Sequence, residues 1–202
     1  MAAGYSPAMT SVGRTAAVTL LLAAVAAAAP FAPGTRFGTI GADYRFSSGD
    51  LYTYSYDSQY VKIDPFFRVG IAAMPQLAVG AELALLNTFP SHGDVFTNTP
   101  VFAFGPAATY FLFPDSNPVQ PYLVAAGGAT YAFVWDRLGW RTRLGAGVAV
   151  VTRAPVAFGL EGGWYHDWSQ VLRWNSRIDG YELTWLQGNT GFVGIRVTAF
   201  KQ

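Results

Sequence analysis

FFRVGIAAMPQLAVGAELAL, Phe66–Leu85, contains two runs of alternating character joined at Pro75-Gln76. Before the joint, Phe67, Val69 and Ile71 share one parity, and Arg68 and Gly70 the other. After it, Leu77, Val79, Ala81, Leu83 and Leu85 stand against Ala78, Gly80 and Glu82. A period of two is that of a strand with one apolar face. A helical period of 3.6 would scatter the charges around the surface. The stretch reads as a hairpin with a greasy side and a side of charge and glycine. Its tight turn brings Arg68 and Glu82 nearly opposite each other.

The same alternation recurs outward from this hairpin. Phe37 to Phe46 sets Ile40, Ala42, Tyr44 and Phe46 against Asp43 and Arg45. Tyr60 to Met74 sets Ile63 and Phe67 against Lys62, Asp64 and Arg68. Trp140 to Val151 sets Trp140, Leu144 and Val148 against Arg141 and Arg143. Val156 to Asp167 sets Phe158, Leu160 and Trp164 against Glu161 and Tyr165. The last run, ending near Phe200, sets Val193, Ile195 and Val197 against Arg196. Two further runs, Val101 to Phe113 and Tyr122 to Phe133, carry no charge; Phe102, Phe104, Tyr110 and Leu112 share a side of the first, and Leu123, Ala125 and Tyr131 a side of the second. The connections alternate too. Short ones fall at Pro75-Gln76, Pro114 to Gln120 and Thr152 to Pro155; longer ones at Ser47 to Gln59, Asn87 to Asn98, Val134 to Gly139 and Trp168 to Thr184. Eight strands joined short at one end and long at the other predict an all-β, antiparallel, up-and-down barrel.

Composition narrows the setting. Of 202 residues 51% are hydrophobic and 12% charged, and the formal net charge is +1. That excludes disorder and offers no basic surface to a nucleic acid. There is no cysteine and there are two histidines, so neither a disulfide scaffold nor a Cys- or His-rich metal site is expected, and no cofactor is called for. At the N-terminus, Arg14 precedes the apolar run AAVTLLLAAVAAAA, Ala16 to Ala29, and Pro30 follows it. A cation, a short apolar core and small residues at its end describe a secretory signal peptide; the run is too short for a membrane helix. Residues 1–29 are therefore read as a removed signal peptide, and 30–202 as the barrel domain.

Alternation suits either a membrane barrel, apolar outside, or a soluble barrel, apolar inside. The polar face decides. It carries Asp43, Arg45, Lys62, Asp64, Arg68, Glu82, Arg141, Arg143, Glu161 and Arg196, interleaved with Gly70, Gly80, Gly145, Gly147, Gly159, Gly163 and Gly194. Long charged groups among glycines suit a crowded lumen, which in eight strands is just wide enough for side chains to fill. Tyr44, Trp140, Trp164 and Trp185 near the long-loop end, and Tyr110 with Phe111 near the short-turn end, read as two interfacial aromatic girdles. The expectation is a transmembrane barrel.

The chain resembles the small outer-membrane β-barrel family whose best-known members are the OmpA-type and OmpX-type barrels. Phe66 to Leu85 and PYLVAAGGATY, Pro121 to Tyr131, carry the resemblance, which covers about Gly34 to Phe200. It implies a monomer in the outer membrane of a Gram-negative envelope, lying in outer-membrane lipid and lipopolysaccharide and inserted by the barrel-assembly machinery. Members commonly end on an aromatic whose parity matches the lipid face. Here Lys201 and Gln202 follow Phe200, which shares parity with Arg196, so either the last strand bulges near Thr198 or the signal is read differently.

Three functions remain to be weighed. Paired lumen charges make either a salt-bridged plug or, alternatively, a narrow pore or small-ligand carrier. Some similar barrels remodel lipid A with a Ser/His/acid set on the outer surface, and His166, Ser169 and Glu182 supply those residue types. Three apart on a strand, His166 and Ser169 point to opposite faces, which opposes catalysis. The stretches LYTYSYDSQY, Leu51 to Tyr60, and DWSQVLRWNSRIDGYE, Asp167 to Glu182, offer aromatics for surface interaction. The predicted role is non-enzymatic: envelope integrity or binding of a surface ligand through the loops. Asp50, Asp57, Asp94 and Asp179 form no dense calcium motif.

Overall fold

The computed structural model describes residues 32–48, 62–86, 101–113, 118–132, 137–152 and 155–201; for residues 47, 48, 62 and 171–174 it describes the backbone alone. The signal-peptide segment, Leu51 to Tyr60, and Asp50, Asp57 and Asp94 lie outside these residues. Eight strands are present: β1 (Arg36–Ser48), β2 (Lys62–Met74), β3 (Leu77–Leu86), β4 (Val101–Phe111), β5 (Val119–Ala132), β6 (Arg137–Val151), β7 (Val156–Asn175) and β8 (Gly180–Lys201). Each pairs antiparallel with the next, and β8 closes on β1 to complete the barrel. Closure leaves no open edge along the wall, where an exposed row of N–H and C=O groups would invite pairing with another chain. No helix among the described residues is long and apolar enough to cross a membrane; that is no constraint on a barrel, which crosses with strands.

The alternation in the sequence becomes an inside and an outside. Ile40, Phe67, Leu83, Phe104, Leu144, Phe158, Leu160 and Ile195 are all exposed, while Arg68, Glu82, Arg143, Glu161 and Arg196 are buried. The weakly patterned strands follow the same rule: Phe102, Phe104, Tyr110, Leu112 and Leu123 face out, and Thr109, Gln120 and Tyr122 face in. Even the shortest strands, β3 with 10 residues and β4 with 11, match the 9–11 residues that a tilted strand needs to span hydrocarbon.

Four details differ from the sequence reading. The segment Trp168 to Thr184 is not a loop. β7 and β8 pair continuously from Val156↔Ala199 to Asn175↔Gly180, leaving a turn at 176–179 in which Asp179 adopts φ 47°. Polar and aromatic composition there conceals a strand pair that runs past the barrel rim. The connection between β5 and β6 spans only 133–136, so the ends are not uniformly short and long. β8 has no bulge near Thr198: pairing with β1 continues to Arg36↔Lys201, and Phe200 packs with the lumen cluster of Ala78, Phe111, Tyr122 and Val151. Phe111 likewise faces the lumen, and Tyr110 alone of that pair faces out. An irregularity does occur between Ala72 and Met74, at the tight turn into β3.

Candidate functional site: a charge-paired lumen

Strand parity delivers the charges to the interior, and strand register then decides which ones meet. Arg68 and Glu82 are register partners across the β2–β3 turn. Arg68 donates to Glu82 Oε2 from Nε at 3.0 Å and from Nη2 at 2.5 Å. Arg143 of β6 reaches across the lumen to the same Glu82 oxygen at 2.8 Å and also pairs with Glu161 of β7. Arg196 of β8 donates to Glu161 at 3.1 Å and to Asp43 of β1 at 2.5 Å, and Arg143 lies 3.3 Å from Asp43. The hydroxyls of Tyr165 and Tyr122 donate to Asp43 and Glu161, the latter at 3.1 Å. Three guanidinium groups and three carboxylates thus form one network spanning six strands, β1, β2, β3, β6, β7 and β8.

A second layer lies nearer the long-loop end. Arg45 grips Asp64 through two nitrogens, one at 2.9 Å. Arg141 donates to both oxygens of Asp167, at 2.5 and 3.0 Å, and lies 3.6 Å from Asp64. Bidentate arginine–carboxylate geometry is the strong form of ion pair and fixes orientation as well as distance. Asp167 was absent from the predicted network, since the sequence reading ended the strand there. Its parity with Glu161 and Tyr165 was the signal that could have found it.

The two layers balance. Among the described residues the buried charged side chains are five arginines (Arg45, Arg68, Arg141, Arg143, Arg196) and five carboxylates (Asp43, Asp64, Glu82, Glu161, Asp167). An unpaired ion here would carry its full desolvation penalty, so neutrality within the lumen is the physical condition for filling it with charge. Aromatic rings complete the packing. The Arg196 guanidinium lies 4.2 Å from the Phe66 ring centre, Arg143 lies 4.7 Å from Phe192, and Arg141 lies 4.3 Å from Tyr165. Arginine combines this stacking with forked hydrogen bonding, which suits the described lumen cations to a packed, ionic interior.

Toward the short-turn end the lumen becomes apolar. Phe37, Phe111, Tyr122 and Phe200 surround a cavity of about 40 Å³ capped by Arg68, Glu161 and Arg196. That is room for a few waters.

On the exterior, Tyr44, Tyr110, Trp140, Trp164 and Trp185 are exposed, at the two ends where girdles were expected. His166 faces outward with Trp164 and Trp168, bonded through Nδ1 to Asn189 Oδ1 at 2.7 Å. Ser169 has the opposite parity, that of Tyr165 and Asp167, so the described strand geometry separates the two groups that nucleophilic catalysis would need together. Glu182 accepts instead from Asn175 Nδ2 at 2.8 Å near the hairpin tip. Among the described residues there is no cluster of metal-ligating side chains.

No family model matches the chain, and no curated protein matches it. Among solved structures it is similar to Neisserial surface protein A, NspA, with 15% identity and a TM-score of 0.55 over 82% of this chain and 98% of that one. A de novo designed transmembrane β-barrel (14% identity, TM-score 0.46, 84% and 97% covered) also matches. So does Ail, the attachment invasion locus protein of Yersinia pestis (12%, 0.37, 82% and 99%). At this identity the likeness to NspA is one of fold: both are small closed eight-stranded barrels.

Proposed function

We propose that the chain is a bacterial outer-membrane barrel with a sealed lumen, which acts through its outer wall and rim and not by catalysis or conduction. The observation that carries this reading is the sorting of the wall. Large apolar side chains face outward on every strand, while ten ionised groups pair within. In water the outward Leu144, Leu160, Phe104 and Ile195 would form one continuous apolar belt, far beyond the few hundred Å² that a soluble monomer tolerates. In lipid the same belt is the solvent-matched surface, and the lumen becomes the one place for charge. The NspA-like fold supports the location.

A plug is favoured over a pore because the network crosses the lumen from β2 and β3 to β6, β7 and β8, with Arg143 bridging Glu82 and Glu161. Its role is mechanical: it holds the cylinder round and leaves the surface free for envelope integrity or surface contact. Single-channel recording on the purified chain in planar bilayers tests this. The reading expects heat-modifiable, membrane-inserted protein that passes no steady ion current; a steady current from inserted barrels contradicts the plug.

A further inference from the structure

The exterior is not uniform around the barrel. The four tryptophans with described side chains, Trp140, Trp164, Trp168 and Trp185, all stand on β6, β7 and β8 and are all exposed. A simple interfacial belt would distribute them around the circumference. The corresponding outward positions elsewhere hold Tyr44, Phe46, Ile63, Leu85, Phe102 and Tyr131.

Uncharged polar groups alternate with these rings. Across the β7–β8 pair, His166 stands beside Asn189, Trp168 beside Gln187, and Gln170 beside Trp185. Across β6–β7, Thr142 stands beside His166 and Trp140 beside Trp168. The groups are held in place. Asn189 Oδ1 accepts from His166 Nδ1 at 2.7 Å and from Trp164 Nε1 at 3.3 Å, and the His166 ring meets Trp168 edge-on at 4.3 Å. Nδ1 is the donor in this pair, since an amide oxygen can only accept. The outward positions of these strands from Leu138 to Leu144, Trp164 to Gln170 and Tyr181 to Gly191 hold no Asp, Glu, Lys or Arg.

The height of this patch is informative. Asn189 stands ten residues along β8 from Ala199, or about 24 Å along the normal for a strand tilted near 45°, against an apolar band about 25 Å tall. The patch therefore sits where outer-leaflet acyl chains give way to headgroups. Amides, an imidazole and a hydroxyl suit a wall position whose neighbours are polar headgroups better than one surrounded by acyl chains. Flat rings stack on the C–H faces of sugars, amides bond their hydroxyls, and the lack of cations does not suit a phosphate as the principal group.

We propose that this patch, built on Trp140, Trp168, Trp185, His166, Gln187 and Asn189, binds the sugar headgroup of an outer-leaflet glycolipid. The site continues the lipid-facing wall, and the inference rests on the outer-membrane reading above. The test inserts the full chain into vesicles of phosphatidylethanolamine, phosphatidylglycerol and rough lipopolysaccharide, then identifies retained lipid by native mass spectrometry after mild extraction. Wild type is expected to retain the lipopolysaccharide in preference to phosphatidylglycerol. Gln187→Leu/Asn189→Leu, which touches no lumen charge but removes the acceptor shared by His166 and Trp164, is expected to insert normally and to lose that retention about tenfold. Leu83→Ala, on the tryptophan-free side, is expected to retain as wild type does. Equal retention of both lipids by wild type, or unchanged retention in the double variant, overturns the site while leaving the membrane reading intact. A paired second copy in place of lipid also overturns it. Failure of wild type to insert overturns both.

Discussion

Arg143 is the residue on which the interior turns. It is 1% exposed, and it faces Glu82, Glu161 and Asp43 together. Removing one member of a buried ionic set leaves its partners uncompensated, so Arg143→Ala is expected to cost about 3–5 kcal/mol. Urea unfolding from lipid vesicles measures this, and an unchanged midpoint would contradict the network. Gly194 is a different kind of requirement. A Cβ there would collide with Asp43 Oδ1 and the Ala42 carbonyl oxygen and press within 2.6 Å of Arg196 Nη1. Gly194→Ala is therefore expected to destabilise by about 1–3 kcal/mol through overpacking, read in the same assay. The sequence made Arg68–Glu82 legible because a two-residue turn sets their register. Asp167 was not legible: its bond to Arg141 joins strands whose extent the polar segment around it concealed. The inward Phe111 and Phe200 were hidden for a related reason, since an apolar residue on the polar face carries no parity signal of its own.

At the scale of elements, the β7–β8 hairpin is the feature that composition misrepresents. Trp168 to Thr184 is polar, aromatic and acidic, the composition of a loop, yet its backbone pairs without interruption to Asn175↔Gly180. Register is carried upward from the barrel below, where each strand has two neighbours. β6 pairs with β7 only as far as Ser169, and β1 pairs with β8 only as far as Asn189. The tip is thus an extension of the fold and not a condition for it. Replacing residues 172–183 with a two-residue Asn-Gly turn is expected to leave the barrel folded, with the unfolding midpoint close to wild type and heat-modifiable migration retained. Loss of folding would show that the hairpin nucleates closure. By contrast, the Phe66 to Leu85 hairpin was legible apart from the irregularity at Ala72–Met74 and the inward Phe66, because both its strands lie within the wall and most of their residues declare a side.

The whole molecule inverts the usual distribution of polarity: an ionic, aromatic-packed interior within a greasy cylinder. Eight strands impose this, since they enclose a lumen only as wide as its side chains and must choose which face to fill it with. The ten buried charges among the described residues, which sum to zero, and an exterior of Leu, Ile, Phe and Trp are one choice seen from two sides. The absence of cysteine from the sequence makes that choice directly measurable. Single cysteines at Leu83, Phe158 and Ile195, spin-labelled in reconstituted vesicles, report whether those positions meet lipid or water. Greater accessibility to oxygen than to a water-soluble paramagnetic chelate at all three positions is the predicted result. Chelate accessibility at these positions in inserted protein would contradict the orientation on which the lumen, the plug and the glycolipid site all depend.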